Sequence, residues 1–390
     1  MRVNAFNFFL FVICFSFSLR YLDMFDSIPF LRYFIYTLPF LLTIFTLIST
    51  KNKNSIKFNF KIINQYFKII IITSAFFCLL NLINNQINMR FISELIFIST
   101  PIILVKLLFD NSSLNLDFDK IIRNMFLFLC LIYFVNLNAG IFSIPGFILE
   151  ILQTKFLVSK FDINFESGLS FVFGFFAIYF FTQKKNRLFL VAFFMTILAY
   201  KRIAILGVVV SILVYVFLRK ILNKKSSPII FTLLNIIIII CFYYLLNGYF
   251  DYIIKDYFGY SANYMLNGRL KLYSIVFDVD RYLFFGNGLG YIHTTLTSAT
   301  DVQEHLKSVH SDVVKLYIEG GFFLLVFFIY RFYKISVHNM SAICLTVYLN
   351  ILFLTDNIFI YVPELFTFYF LQSIVYFKFF KDKEIDVKEN

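Results

Sequence analysis

Three features of the sequence predict an all-α polytopic membrane protein of about twelve transmembrane helices. Hydrophobic residues fill 60% of the 390 positions and charged ones only 15%, against about 45–50% and 25% in soluble domains. The apolar residues come in long runs: Ile229 to Leu246 is nearly unbroken hydrocarbon, and about 18 such residues suffice to cross a bilayer as a helix. Basic residues sit in the short segments between those runs, as the positive-inside bias of membrane proteins requires. An outer-membrane barrel would instead show short segments of alternating character.

Taken in order, spans are expected near 4–19, 30–48, 66–83, 91–109, 121–138, 167–182, 188–200, 203–218, 228–247, 317–335, 340–356 and 362–378. The first opens after Arg2 and has no small-residue cleavage site before Arg20, so it is expected to be retained as a helix. Twelve spans put both termini on one side. Lys51, Lys53, Lys57 and Lys61 share that side with Lys184, Lys185 and Arg187, with Arg219, Lys220, Lys224 and Lys225, and with Arg331, Lys334 and the lysine-rich tail. This side is therefore expected to be the cytoplasm, and residues 1–390 to form one integral-membrane domain in the inner membrane. The net charge of +12 is spread over these loops rather than gathered on one arm, which argues against nucleic acid as a partner. Each of the five cysteines, Cys14, Cys78, Cys130, Cys241 and Cys344, lies inside an apolar run, where it serves as a small apolar filler rather than a disulfide or zinc ligand.

Three segments fall on the opposite, periplasmic face. Between Asn138 and Glu166, Phe147, Ile148, Ile151, Leu152 and Phe156 recur at helical spacing, as in a helix lying along the interface. The turn between spans seven and eight carries Lys201 and Arg202 on the side where cations are disfavoured. The third segment is a long loop, residues 248–316, between spans nine and ten; it holds His293, His305 and His310, three of the four histidines.

Several residues in these segments suit chemistry on an anionic substrate. Arg269, in Asn-Gly-Arg-Leu ahead of an amphipathic stretch, carries a planar fork that grips phosphate oxygens in pairs. Gly286, Gly288 and Gly290 form a turn whose backbone is able to approach a ligand closely or expose amide donors. It is no dinucleotide fingerprint, because no strand–helix unit surrounds it. Ser308 is expected to cap the tenth span, with His310 in its first turn. A helix N-terminus disfavours positive charge, which suits an imidazole that must accept a proton. Glu319 precedes Gly320-Gly321 inside an apolar run and needs a partner there. His305 and His310 lack the spacing of paired helical metal ligands, so no metal is expected.

The order of these pieces resembles the O-antigen polymerase and ligase superfamily of bacterial envelope glycosyltransferases. Arg202 stands in Tyr-Lys-Arg-Ile-Ala-Ile; Arg269, the Gly-x-Gly-x-Gly turn, His310 and Glu319-Gly320-Gly321 follow. Phe165-Glu166-Ser167-Gly168 also looks like that family's pattern before the sixth span. The resemblance implies a polyprenyl-pyrophosphate-linked oligosaccharide as substrate at the periplasmic face, with no nucleotide, cofactor or metal. It implies that Arg202 and Arg269 hold the pyrophosphate and that His310 activates the acceptor hydroxyl. Lys201 stands where the usual pattern has a small hydroxyl residue and would add a second phosphate contact. Gly286, Gly288, Gly290 and Glu319 would shape the loop around the substrate. A polymerase joining lipid-linked repeat units is the favoured reading, with a chain-length regulator protein as a further conceivable partner. A ligase moving polymer onto lipid A–core is the second. A repeat-unit transporter or flippase is the third; it predicts charges deep in several spans, for which Glu94, Lys106, Asp356 and Glu364 are the nearest candidates.

Overall fold

The structure is a computed structural model that describes residues 5–22, 29–49, 61–110, 116–137, 144–146, 166–218, 226–259, 261–265, 269–279, 284–299 and 309–389. The expected interfacial helix at 147–156 lies outside these residues. Among the described residues the regular structure is entirely helical. The main helices are α1 (Ala5–Tyr21), α2 (Pro29–Ser49), α3 (Lys61–Ile83), α4 (Met89–Asp110), α5 (Phe118–Leu137), α6 (Leu169–Thr182), α7 (Asn186–Leu198), α8 (Arg202–Phe217) and α9 (Ser226–Leu246). Four shorter ones follow: α10 (Asp251–Phe258), α11 (Ala262–Met265), α12 (Arg269–Val279) and α13 (Tyr291–Ser298). The chain closes with α14 (Asp312–Ser336), α15 (Met340–Thr355) and α16 (Val362–Glu389).

Each expected span coincides with one of these helices. Five of them, α3, α4, α5, α9 and α14, are long and apolar enough to cross a membrane by length and composition; shorter apolar stretches occupy α1, α2, α6, α7, α8 and α15. Large apolar side chains stay exposed along their outer faces, among them Phe11, Phe40, Leu190, Phe217, Ile229 and Leu233. Water would not tolerate so continuous an apolar surface, whereas lipid covers it at no cost. These features support a multi-pass membrane protein.

The interior is built on α6, where every residue except Phe181 is buried. Two glycines set how closely its neighbours approach. A Cβ on Gly174 of α6 would overlap the Tyr348 hydroxyl of α15, and one on Gly207 of α8 would come within 2.7 Å of the same ring. Small residues thus let three helices close around one tyrosine, the mode of packing that helices use in lipid. Tyr348 then donates its hydroxyl to the Phe171 carbonyl at 3.0 Å.

The helix corresponding to the tenth span is broken. Within α14, Gly321 has φ +81° and ψ 172°, far from helical values, which frees carbonyls that a continuous helix would satisfy. The Gly286–Gly290 turn supplies the missing donors. Asn287 N–H donates to the Ile318 carbonyl at 3.1 Å and Gly288 N–H to the Glu319 carbonyl at 2.9 Å. The expected long loop is therefore not bare polar chain. Its helices α12 and α13 bury Leu272, Tyr273, Val276, Ile292 and Leu296 against Val309, Val314 and Ile318, forming a second, smaller core over the first half of α14.

Candidate functional site

One end of the bundle gathers the polar residues that the sequence singled out. Two helices start there with functional side chains at their tips. α8 begins at Arg202, with Lys201 as the preceding N-cap. The α7–α8 turn is tight: Tyr200 sits at φ +40°, and Ser170 Oγ accepts the Lys201 N–H at 3.3 Å while donating to the Thr196 carbonyl at 2.9 Å. Arg202 extends over the Tyr200 ring, 5.9 Å from its centre. Lys201 pairs with Glu166.

α14 begins one residue after its cap, Ser311, whose Oγ accepts the Val314 N–H at 3.3 Å. This corrects the expectation that Ser308 caps the helix; Ser308 lies outside the described residues. Ser311 takes the role because it is the residue with extended backbone, φ −164° and ψ 111°, and the chain turns helical immediately after it. His310 consequently lies just outside the helix and not in its first turn. Its environment is set less by the helix dipole than by a carboxylate that spacing did not reveal. Asp356, at the end of α15, places Oδ1 3.6 Å from His310 Nδ1.

Asp356 is the organising residue of this end. Its Oδ1 also accepts the Asn357 N–H at 2.8 Å and the Tyr361 hydroxyl at 3.4 Å, and its carbonyl accepts the Asp312 N–H at 3.2 Å. Asp312 in turn accepts the Phe359 N–H at 2.8 Å, so the start of α14 and the end of α15 are laced together. Burial would raise the Asp356 carboxyl above its ordinary 3.8. The nearby His310 and the Asn357 amide bond, with the charge of Lys201, outweigh it and hold the group below that value. His310 thus faces a carboxylate that also feels the charge of Lys201. Tyr273 on α12 lies within electrostatic reach of Arg269, Asp312 and Asp356 together, and its burial pushes the phenol well above the usual range. Through Tyr273, Arg269 joins the same neighbourhood.

The glycine turn is tied into the protein through its amides. Besides the two amides already described, Leu289 N–H donates to Asn81 Oδ1 at 2.8 Å, and Gly290 and Ile292 N–H both donate to Glu319 Oε1 at 3.1 Å. These amides are consumed within the protein and do not form a cradle for a ligand. Gly286 is required because the turn presses on backbone there: a Cβ on it would lie 2.5 Å from Gly321 N. Glu319 finds its expected partner in the turn and, at 3.9 Å, in Lys315. Lys315 bonds Glu94 at 2.5 Å and Arg90 bonds the other oxygen of Glu94 at 2.6 Å. A further cluster lies across Asp356: Arg20 donates to Tyr36 at 3.1 Å and Tyr21 to the buried Glu364 at 2.7 Å.

The apolar helical bundle thus carries two cations at the tip of α8 and a His–Asp pair beside the start of α14. Residues 169–329 match the family model described as O-antigen ligase, which supports a likeness to the O-antigen polymerase/ligase superfamily. No curated protein and no solved structure matches the chain.

Proposed function

We propose that this protein is an O-antigen polymerase, transferring an oligosaccharide from one polyprenyl-pyrophosphate carrier onto a second lipid-linked repeat unit at the periplasmic face of the inner membrane. The observation that carries this reading is the His310–Asp356 pair, with Lys201 within electrostatic reach of the same carboxylate and Arg202 next to Lys201 at the tip of α8. The reaction needs two things. The acceptor hydroxyl must lose a proton as its oxygen bonds to the anomeric carbon, and the pyrophosphate must leave with its charge stabilised. His310 takes the proton, with Asp356 holding the ring from its Nδ1 side. Arg202, Lys201 and Arg269 take up the charge that develops on the departing pyrophosphate, the first two aided by the positive end of α8. The chemistry asks for no nucleotide or metal. The lysine-bearing end of the bundle, where Asp119 pairs with Lys185 and Lys378 at 2.6 Å each, then faces the cytoplasm.

A ligase reading draws on the match of residues 169–329 to the O-antigen ligase family model. The test is replacement of Arg202, Arg269 and His310 singly by alanine in a deletion strain. The lipopolysaccharide ladder is read on a gel, with membrane levels of each variant checked. Core plus one repeat unit supports the polymerase; complete loss of repeats from the core supports the ligase. An unchanged ladder from all three variants refutes both.

A further inference from the structure

We propose that Glu94, through its ion pairs with Lys315 and Arg90, is the positioning device that aims His310. The inference rests on the reading of His310 as the proton acceptor. It starts from the break at Gly321, which cuts α14 into two pieces. The piece Asp312–Gly320 follows His310 directly but cannot inherit its placement from the rest of the helix through a continuous hydrogen-bond ladder. Its placement comes from contacts along its length. At its start the Asp312 N–H donates to the Asp356 carbonyl and the Asp312 carboxylate accepts the Phe359 N–H, and at its end are the bonds between Glu319 and the glycine turn. In the middle stands Lys315, five residues beyond His310, reaching across to Glu94 of α4 at 2.5 Å.

The chemistry of that middle contact separates it from ordinary packing. Glu94 is buried and Lys315 largely so, with side-chain exposures of 2% and 12%. A buried ion pair loses hydration on both partners, and a well-packed apolar pair of similar volume often serves stability as well or better. What a buried pair does supply is a defined register, because a hydrogen-bonded ion pair has one geometry where apolar side chains have many. Glu94 spends both oxygens this way. Oε2 takes Lys315, and Oε1 takes Arg90, whose stem lies against Gly290 of the turn. A single carboxylate therefore fixes α4, the glycine turn and the His310 half-helix relative to one another. None of the three side chains is a catalytic residue; they act through the placement of His310.

The experiment uses the full chain purified into lipid nanodiscs. Its substrate is the lipid-linked oligosaccharide fraction extracted from a deletion strain, and turnover is followed at saturating and limiting substrate. Glu94→Gln is expected to lower kcat about 100-fold, the cost of a displacement near 1 Å at a reacting group, and to leave KM within twofold. Combined with His310→Ala, it is expected to slow the reaction no further than His310→Ala does alone, because the two act through the same imidazole. Lys315→Arg keeps the charge balance and re-aims the half-helix, so it tests the idea even if Glu94→Gln does not accumulate in membranes. It is expected to fold and to lose about tenfold in kcat at unchanged KM. Wild-type kcat in both variants, a rise in KM without loss of kcat, or a full multiplicative effect of Glu94→Gln on the His310→Ala background would overturn the proposal. Wild-type turnover by His310→Ala would instead overturn the reading of His310 on which it rests.

Discussion

Two glycines with the same backbone angle offer a test of what holds the broken helix. Gly286 and Gly259 both sit at φ +72°, so replacing either with alanine places a Cβ residue in the left-handed region at about 1–2 kcal/mol. Their surroundings differ. Nothing lies within 4 Å of a Cβ on Gly259. A Cβ on Gly286 meets the Glu319 carbonyl and comes to 2.5 Å from Gly320 C and Gly321 N, all of them backbone at the break in α14. Overpacking against atoms that cannot rotate away adds about 1–3 kcal/mol. Gly286→Ala is therefore expected to cost roughly 2–5 kcal/mol and Gly259→Ala only about 1–2, a tenfold shift in the folded ratio for each 1.4 kcal/mol. A dye that fluoresces on reaction with thiols reads unfolding in detergent, because Cys14, Cys130 and Cys344 are buried. Equal destabilisation of the two variants, or a larger effect at Gly259, would refute the account of the turn as a cap on the freed carbonyls.

Asp356→Asn removes the carboxylate facing His310 and is expected to reduce ladder formation about 10- to 100-fold with normal membrane levels; an intact ladder would separate Asp356 from the chemistry. Because the folded protein holds this carboxyl below its ordinary value, the charged form stabilises the fold above about pH 4, and that contribution is lost as pH falls through the lowered value. The stability gap between wild type and Asp356→Asn should thus hold level from pH 5 to 8 and close below about pH 4, as read by the same dye. Gly207→Leu must push α8 off the Tyr348 ring and should cost about 1–3 kcal/mol or more in that assay; wild-type stability would contradict the close approach. Asp119→Asn loosens the ties to Lys185, Lys378 and Tyr179 at the far end and should leave the ladder unchanged at equal membrane level, since it touches nothing near His310.

By itself the sequence determined the class of fold and the places of the helices, because both depend on local quantities. A run of hydrocarbon long enough to cross lipid must satisfy its own backbone hydrogen bonds, and that makes it a helix whatever its neighbours are. Arg202, Arg269 and His310 could be picked out as candidates, since cations and an imidazole beside apolar runs stand out in one dimension. Only the tertiary structure could bring Asp356 to His310 across 45 intervening positions, or Glu94 to Lys315 across α4 and α14. Spacing rules describe neighbours along one helix, whereas these pairs come from different helices whose relative rotation is fixed by packing. The same limit applies to Gly286–Gly290. Its sequence reads equally well as a ligand cradle or a turn, and the choice falls to where Ile318 and Glu319 leave their carbonyls once α14 breaks.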